Sequence, residues 1–313
     1  MTFAFTFPGQ GSQVVGMGQA LALEYSVAKA VFDEVDDALD EKLSNIIWNG
    51  TQEELTLTKN AQPALMAVSL ATFRILEHEG VKLSGNIAYV AGHSLGEYSA
   101  LAAAGVLEVS DTARLLRLRG NAMQAAVAVG EGAMAAVLGL TLDEVRAVAA
   151  EAAQGEVCEA ANDNAPGQVV ISGQKSAVER AAILAKEKGA KRAILLPVSA
   201  PFHCRLMQPA AEKMAEALAG ISFEVPTVPV VVNVKATAIS EPNVLRSSLV
   251  EQVTGMVRWS ESVAYMAGQG VDCLFELGSG KVLSGLARRI VKGIETVPVG
   301  TPDDIKTVLA RLS

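Results

Sequence analysis

The residues whose types and spacing most suggest chemistry are GHSLG at positions 92–96, which have the form G-x-S-x-G. An apolar run of strand type, Asn86 to Ala91, precedes them, and a small apolar stretch that can open a helix, Leu95 to Ala104, follows. A serine at a sharp turn between a strand and a helix is strained outward, and glycines on either side permit a close approach. The pattern predicts that Ser94 is a nucleophile, although five such residues would also suit an ordinary tight turn.

A nucleophilic serine needs a base, and histidine is the usual one because its pKa lies near neutral pH. The chain has three histidines. His78 lies between two glutamates near the end of a predicted helix, which favours a solvated imidazole, and the side chain of His93 should point away from its neighbour Ser94. His203, in a loop just before a predicted helix from Arg205 to Ala219, is therefore the predicted base.

A serine hydrolase would place a carboxylate between serine and histidine in the chain, to orient the imidazole. Asp111, Asp143 and Asp163 have suitable chain positions, but none follows an obvious strand of the larger predicted domain. An imidazole held by a backbone carbonyl is the alternative that stays open.

Acyl transfer also needs N–H donors for the negative charge that develops on the carbonyl oxygen. The N–H of Leu95, at the start of the helix after the serine, is one candidate. A second donor could come from FPGQGSQ at residues 7–13, a glycine-rich turn after the first strand that lacks the G-K-[ST] ending of a phosphate-binding loop. An ordinary strand-to-helix turn would explain the same residues.

Arg119 is predicted to lie on the apolar face of a helix. At helical spacing its neighbours are Leu115, Leu116, Ala122 and Met123. A buried guanidinium needs an anionic partner, because leaving it unpaired costs several kcal/mol, on the order of 3–5. That partner can be a protein carboxylate or a carboxylate of the substrate, and the sequence leaves both open.

Composition bounds the function classes. The 313 residues are 50% hydrophobic and 19% charged, with a net charge of −8 that argues against bulk attraction to nucleic acid or an anionic membrane. No apolar run is long enough to span a bilayer, and the N-terminal MTFAFTFP resembles a strand, not a signal peptide, so we expect a cytoplasmic protein. Three widely spaced cysteines argue against a disulfide framework and a zinc site.

The order of predicted elements indicates an α/β protein of two domains. Residues 130–199 read as β-α-β-β-α-β, the split βαβ or ferredoxin-like unit. Its predicted elements are Gly132–Leu140, Thr141–Gln154 with a capping box, Val157–Ala161, Gln168–Gly173, Ser176–Gly189 and Lys191–Val198. Residues 1–129 and 200–313 alternate helices with strands and predict a large domain with a mostly parallel sheet, into which the small domain is inserted. Those strands are predicted at Phe3–Phe7, Asn86–Ala91, Val228–Val234, Asp272–Leu277 and Glu295–Val299.

Several long motifs together resemble the malonyl-CoA:acyl-carrier-protein transacylases nearly from end to end. They are FPGQGSQ at 7–13, GHSLGEYSA at 92–100, RG-x-x-MQ at 119–124, NDNAPGQVVISG at 162–173, PFHC at 201–204 and GSGKVLSGL at 278–286. The fold that this resemblance implies is an α/β-hydrolase-like domain with a ferredoxin-like insertion.

The resemblance also implies a role for each site residue. Ser94 would carry the acyl group and His203 would be the base, oriented by the main-chain carbonyl of Gln252. The N–H groups of Gln10 and Leu95 would form the oxyanion hole. The implied substrate-binding residues are Arg119, for the malonyl carboxylate, Met123 and Phe202.

Phe202, the residue before the histidine, would narrow the acyl pocket and favour malonyl over methylmalonyl groups. The implied reaction is a ping-pong transfer from malonyl-CoA to the pantetheine thiol of holo acyl carrier protein. CoA and phosphopantetheine thioesters are its substrates, and no metal or other cofactor is expected. We also expect a monomer that binds neither nucleic acid nor membrane.

Three other functions compete with this interpretation. A thioesterase could use the same serine and histidine, but a hydrolase of neutral acyl chains has no use for a cation such as Arg119. A patatin-type lipase wants an Asp-Gly element, and the chain has no Asp-Gly dipeptide. A non-catalytic acyl-binding module would need neither a strained serine nor His203. Fatty-acid and polyketide synthesis both remain open as the pathway served.

Overall fold

Two separate β-sheets organise the chain, and the computed structural model describes them over residues 1–312. The strands are β1 (Phe3–Phe7), β2 (Ile87–Gly92), β3 (Gly132–Leu138), β4 (Cys158–Ala165), β5 (Gln168–Gln174), β6 (Arg192–Leu195), β7 (Val230–Val232), β8 (Thr237–Ile239), β9 (Cys273–Leu277) and β10 (Glu295–Val299). The helices are α1 (Gln19–Glu24), α2 (Ser26–Leu39), α3 (Leu43–Asn49), α4 (Gln52–Thr56), α5 (Thr58–His78), α6 (Leu95–Ala103), α7 (Val109–Ala125), α8 (Leu142–Ala153), α9 (Lys175–Glu187), α10 (Gln208–Ala219), α11 (Pro242–Thr254), α12 (Trp259–Gly268), α13 (Val282–Ile290) and α14 (Pro302–Leu312).

The larger sheet has six strands in the order β10-β9-β1-β2-β7-β8, and every neighbouring pair is parallel except β7 with β8. Successive side chains of a strand point to opposite faces. Phe5 of β1 therefore packs into the core with α2, α5 and α7, whereas Ala4 packs with α12 and α13 on the other face. Burial on both faces explains why β1 is apolar almost throughout. The expected α/β class with a mostly parallel sheet is confirmed.

The smaller sheet has four antiparallel strands in the order β4-β5-β3-β6, and its own hydrophobic core lies against α8 and α9. The predicted cap of α8 is present: the hydroxyl of Thr141 accepts from the N–H of Glu144, whose side chain accepts from the Thr141 N–H. The small sheet joins the rest of the chain through β4, because the N–H of Asp163 donates to the carbonyl of Val257.

Some predicted element bounds are wrong, and proline explains three of the differences. The strand expected to reach Val198 ends at Leu195, just before Pro197, which lacks the N–H that a ladder needs. The strand expected from Val228 begins at Val230, after Pro229. The helix expected from Arg205 opens as a short 3-10 helix and becomes α10 only at Gln208, with Pro209 in its first turn.

One strand is longer than predicted. β4 continues to Ala165 through a run of Asn and Asp residues that are uncommon in strands. Irregular pairing with β5 between Ala160 and Asn162, and again between Asp163 and Ala165, accommodates them. The polar residues Asn162, Asp163 and Asn164 therefore lie in a strand of the small sheet and not in a loop.

Strand order in the larger sheet determines which loops meet. Phe7 of β1 pairs with Gly92 of β2, and Ala91 of β2 pairs with Val231 of β7. The carboxyl ends of these three parallel strands lie at one edge, which is where ligands of open α/β sheets bind. Over residues 1–312, no helix combines the length and the apolar character needed to cross a bilayer.

Candidate active site

Ser94 lies in a sharp turn between the end of β2 at Gly92 and the start of α6 at Leu95. Its φ is 54° and its ψ is −111°, a backbone conformation that residues other than glycine rarely adopt. A Cβ on Gly92 would lie 1.9 Å from the carbonyl of Gly96, and one on Gly96 would lie 2.2 Å from the carbonyl oxygen of Phe7. Both glycines are therefore required by close backbone approach.

His203 lies against Ser94, with 2.8 Å between Ser94 Oγ and His203 Nε2. Its other ring nitrogen, Nδ1, is 2.9 Å from the main-chain oxygen of Gln252. Burial, and then the charge of Arg119, lowers the pKa of His203 to about 3. The imidazole is neutral at pH 7, and donation from Nδ1 to the Gln252 carbonyl leaves Nε2 as the acceptor facing the serine hydroxyl.

No carboxylate takes the orienting position on His203 within residues 1–312. Asp111 is paired with Arg114 on the surface instead. Of the other histidines, His78 is exposed at the end of α5. His93 lines the same cavity as Ser94 and is 2.8 Å, through Nε2, from the side-chain oxygen of Asn164.

Arg119 projects from α7 toward Ser94 and is only 1% exposed. Its guanidinium donates to Gln62 Oε1 and to Gln252 Oε1, both at 2.8 Å, and to Ser94 Oγ at 3.2 Å. Its central carbon lies 5.6 Å from the ring centre of Tyr98. Among the described residues, no carboxylate comes within the 4.0 Å of an ion pair with this guanidinium, so its buried charge is held by neutral amide oxygens.

Two residues that line the cavity have main-chain N–H groups that the protein does not use. The N–H of Leu95 follows Ser94 at the start of α6, and the N–H of Gln10 lies in the turn after β1. In residues 1–312 neither donates a hydrogen bond to another protein group. Both residues line the cavity that contains Ser94.

The cavity in front of Ser94 has a volume of about 520 Å³. Met123 and Phe202 line it, as the resemblance implies, and Met123 is 1% exposed against Gln62. Apolar side chains from the small sheet and the segment that leaves it close the other side: Met134, Val170, Leu196 and Val198. Within the described residues, no three His, Cys, Asp or Glu side chains are grouped as metal ligands.

Sequence reasoning missed several polar residues of the site. Gln62 is a buried amide in the long apolar helix α5, and Glu97 is a buried carboxyl in α6. Asn162 and Asn164 line the cavity from β4, and Asn233 follows β7 and contacts the main chain of Ser94. The sequence signal that could have found them is a polar residue at a position where the apolar pattern predicts burial. Such a residue is buried only when it has a hydrogen-bond partner, so it indicates a specific contact.

Glu97 is the most unusual of these residues. Its Oε2 accepts the main-chain N–H of Asn233 at 2.7 Å, and burial raises its pKa to about 7. The Gln252 side chain, besides accepting from Arg119, donates through Nε2 to the main-chain oxygen of Ser94 at 3.0 Å. Buried polar side chains thus connect the serine, the histidine and the arginine.

Comparison with known proteins identifies relatives of this chain over nearly its full length. The family model described as acyl transferase domain matches residues 4–293. The malonyl CoA-acyl carrier protein transacylase of Escherichia coli (strain K12) is 48% identical over 307 residues, which cover 98% of each chain.

Solved structures are equally similar. The acyl-carrier-protein-S-malonyltransferase from Bartonella henselae has a TM-score of 0.98 and 56% identity, covering 100% of this chain and 99% of the other. A chain of the structure described as a type II PKS acyl-carrier protein in complex with its malonyl-transacylase also matches. It has a TM-score of 0.96 and 44% identity, and the match covers 99% of this chain and 100% of that chain.

Proposed function

The chain belongs to the acyl transferase family, and from that membership we propose how the residues around Ser94 carry out its reaction. The protein transfers a malonyl group from malonyl-CoA to acyl carrier protein, for fatty-acid or polyketide synthesis.

In the first half-reaction, Ser94 Oγ attacks the thioester carbonyl while His203 Nε2 takes its proton. The carbon–sulfur bond then breaks, and CoA leaves as a thiol with the proton from His203. In the second half-reaction the pantetheine thiol gives its proton to His203 and its sulfur attacks the malonyl-serine ester. The ester carbon–oxygen bond then breaks, Ser94 Oγ takes the proton back from His203, and malonyl-carrier protein leaves. The 2.8 Å contact between the two side chains, and the neutral state of the imidazole, support this exchange.

Each tetrahedral intermediate places a negative charge on the former carbonyl oxygen. The N–H groups of Gln10 and Leu95 are proposed to stabilise it. Both line the cavity beside Ser94, and neither is occupied by another protein group in residues 1–312. Donors fixed in advance lower the barrier because they do not reorganise during the reaction.

Arg119 is proposed to bind the malonyl carboxylate. The burial of its guanidinium without a carboxylate partner among the described residues is the single observation that carries the proposed function. A buried cation normally needs an anion, yet the partners of this one are Gln62, Gln252 and Ser94. The guanidinium is next to the nucleophile, so an acyl group on Ser94 that ends in a carboxylate would supply the missing charge.

A thioesterase is the nearest alternative function, because it would use the same serine and histidine. In a thioesterase, water would hydrolyse the ester between Ser94 and the acyl group, and no carrier protein would be needed. The buried charge of Arg119 disfavours this alternative, since a hydrolase of neutral acyl chains gains nothing from it.

The test is intact-protein mass spectrometry after brief mixing with malonyl-CoA. Wild type should gain one malonyl group, Ser94→Ala should gain none, and Arg119→Ala should gain much less. Ser99→Ala is the matched control for the serine, because Ser99 is also buried in α6. Arg117→Ala is the control for the arginine, because Arg117 is on the same helix but is bound to Glu41 and Asn60.

Discharge of the adduct separates the two functions. Holo acyl carrier protein should remove the malonyl group faster than water does. Equal rates would favour the thioesterase, and an adduct on Ser94→Ala would reject Ser94 as the nucleophile.

The finer description of the fold is part of the proposal. We propose an α/β-hydrolase-like domain formed by residues 1–129 and 200–313, and a ferredoxin-like domain formed by residues 130–199. The strand order β4-β5-β3-β6 and the separate core of the small sheet support the inserted domain. Expression of 130–199 alone, followed by circular dichroism and thermal melting, tests whether this segment folds independently.

The remaining proposals concern cofactors, assembly and location. Ser94 and His203 account for both half-reactions, so CoA and pantetheine thioesters are the proposed substrates and no cofactor is proposed. The net charge of −8 supports a protein that binds neither nucleic acid nor anionic membrane. A cytoplasmic monomer is proposed, and light scattering of the purified protein tests the oligomeric state.

A further inference from the structure

The side chain of Asn233 contacts the main chain on both sides of the nucleophile turn. Its Oδ1 accepts the N–H of Ser94 at 2.7 Å, and its Nδ2 donates to the carbonyl of Gly92 at 2.7 Å. Asn233 is fully buried, with 0% of its surface exposed. One planar amide therefore holds the peptide groups that precede and follow His93.

The turn needs such support because its conformation is unfavourable. A non-glycine residue with a φ of 54°, as Ser94 has, costs roughly 1–3 kcal/mol and persists only where its surroundings enforce it. The carbonyl of Gly92 is also buried and the N–H of Ser94 is partly buried, and polar main-chain groups in such positions need partners. A group with a donor and an acceptor in one plane satisfies both, and an asparagine side chain is such a group.

Strand order brings Asn233 to this place. β7 lies beside β2 in parallel, with Ala91 paired to Val231, so the first residue after β7 meets the turn after β2. Asn233 is separated from Ser94 by 139 positions in the chain. No local pattern near either residue announces the contact.

Asn233 is itself held from behind. Its main-chain N–H donates to Glu97 Oε2 at 2.7 Å, and its carbonyl accepts from the N–H of Arg258 at 3.1 Å. Glu97 is fully buried in α6, the helix that begins just after the serine. A buried carboxyl is costly in an apolar core, so its position between α6 and Asn233 calls for a specific purpose.

We propose that Asn233 is a positioning residue for Ser94, and that Glu97 is its anchor. The amide fixes the two peptide groups that lead into the serine, so that Oγ faces His203. The N–H of Leu95 belongs to the next peptide, whose carbonyl, that of Ser94, accepts from Gln252 Nε2 at 3.0 Å. A trans peptide that is held at one end cannot turn at the other, so Gln252 completes the positioning on the far side of the serine. This inference rests on the proposed role of Ser94 as the nucleophile.

The experiment compares Asn233→Ala with wild type by malonyl transfer kinetics and by the labelling rate of Ser94 with a fluorophosphonate. Misplacing a reacting atom by about 1 Å can cost on the order of 100-fold in rate. We expect kcat and the labelling rate to fall about that much, with KM for malonyl-CoA within about threefold of wild type, since Arg119 keeps its contacts with Gln62 and Gln252.

Asp36→Ala is the matched control for stability. Asp36 is 4% exposed and accepts two hydrogen bonds from Ser44, in a part of the helical layer made by α2 and α3. The substitution Asp36→Ala should lower the melting temperature while leaving kcat per folded molecule unchanged. A purely structural Asn233 would behave in the same way.

Glu97 provides a second pair of variants. Glu97→Gln keeps an oxygen that can accept the N–H of Asn233, so its kcat should stay within about twofold of wild type. Glu97→Ala releases that N–H, and kcat should fall about tenfold or more. If Asn233→Ala does not fold, this pair decides the matter by the same readouts.

The outcomes are distinct. Failure of wild type to be labelled at Ser94 would reject the proposed nucleophile. Labelling of wild type together with an Asn233→Ala variant of normal kcat and labelling rate, or with Glu97→Ala equal to Glu97→Gln, would overturn the positioning role alone.

Discussion

The two sides of the cavity are built on different principles. One side, here the reactive wall, consists of Gln10, Gln62, Ser94, Leu95, Arg119 and His203. The other, here the shaping wall, consists of Met134, Val170, Leu196, Val198 and Phe202. The reactive wall presents main-chain N–H groups, a hydroxyl, an imidazole and a cation, whereas the shaping wall presents apolar side chains.

Their supports differ in the same way. The turn of the reactive wall lies at the carboxyl ends of parallel strands, where the N–H of His93 donates to the carbonyl of Phe7 and Asn233 holds the Gly92 carbonyl and the Ser94 N–H. Met134 and Val170 of the shaping wall come from the small sheet, while Leu196, Val198 and Phe202 follow it in the chain. The side chains of the shaping wall take no part in the hydrogen bonds that hold the serine turn. We therefore expect that they can change without moving the serine, while even small changes on the reactive wall should disturb the chemistry.

The largest expected effect comes from removing the proposed base. His203→Ala should lower the rate of malonyl transfer by about 10²–10⁴-fold, because proton transfer by a positioned side chain contributes about that much. His78→Ala is the control, since His78 is exposed and remote from the cavity. Steady-state kinetics with malonyl-CoA and holo carrier protein measure both, and a loss of less than tenfold in His203→Ala would break the division between the walls.

The next prediction concerns pH. Burial holds the pKa of His203 at about 3, so its neutral form should persist at pH 5. An ordinary imidazole with a pKa of about 6.5 would be only about 3% neutral there, which would slow the reaction about 30-fold relative to pH 8. The labelling rate of Ser94 in the free enzyme should instead change less than about twofold between pH 8 and pH 5. A labelling rate that halves near pH 6.5 would contradict this expectation.

The shaping wall should control selectivity. Phe202→Ser removes an aromatic ring from the cavity, and we expect the ratio of kcat/KM for methylmalonyl-CoA over malonyl-CoA to rise about tenfold, a typical effect of one methyl group in a pocket. The rate with malonyl-CoA should stay within about threefold of wild type. A rate for malonyl-CoA that falls as far as in His203→Ala would show that the two walls are not separate.

Glu97 tests the electrostatic side of the comparison through stability, with no change in the reaction rate required. Burial raises the pKa of Glu97 to about 7, so between pH 4.5 and 7 the folded state binds more protons than the unfolded state. The free energy of unfolding therefore loses a contribution as pH rises through this window, and Glu97→Gln removes that dependence. The difference in unfolding free energy between wild type and Glu97→Gln should change by about 3 kcal/mol from pH 4.5 to pH 7.5 in urea titrations. A difference that does not vary with pH would contradict the prediction.

Much of the fold followed from local pattern. The buried strand Phe3–Phe7 has the bounds expected from its apolar run, and the capping box at Thr141 was visible as a threonine followed by a glutamate three residues later. The errors fell where local rules compete, as in β4, whose Asn and Asp residues disfavour a strand but whose pairing with β5 keeps one. Tertiary pairing outweighed propensity there.

Part of the site was equally accessible from sequence. The glycines around Ser94 indicate a tight turn, and helical spacing places Arg119 on the apolar face, where it is buried. The partner of that arginine stayed open, because spacing along one helix says nothing about the side chains that face it. The structure supplies two amide oxygens, from Gln62 and Gln252.

What the sequence alone determined is local: a strand, a turn that only glycines permit, a helix after it, and a cation on an apolar face. Tertiary structure alone decided which distant groups meet them, such as Asn233 beside the peptide of Ser94 and the Gln252 carbonyl behind His203. The physical reason is twofold. Contacts between remote segments depend on the order of strands in the sheet, and main-chain N–H and C=O groups are the same in nearly every residue, so their use leaves no mark in the sequence.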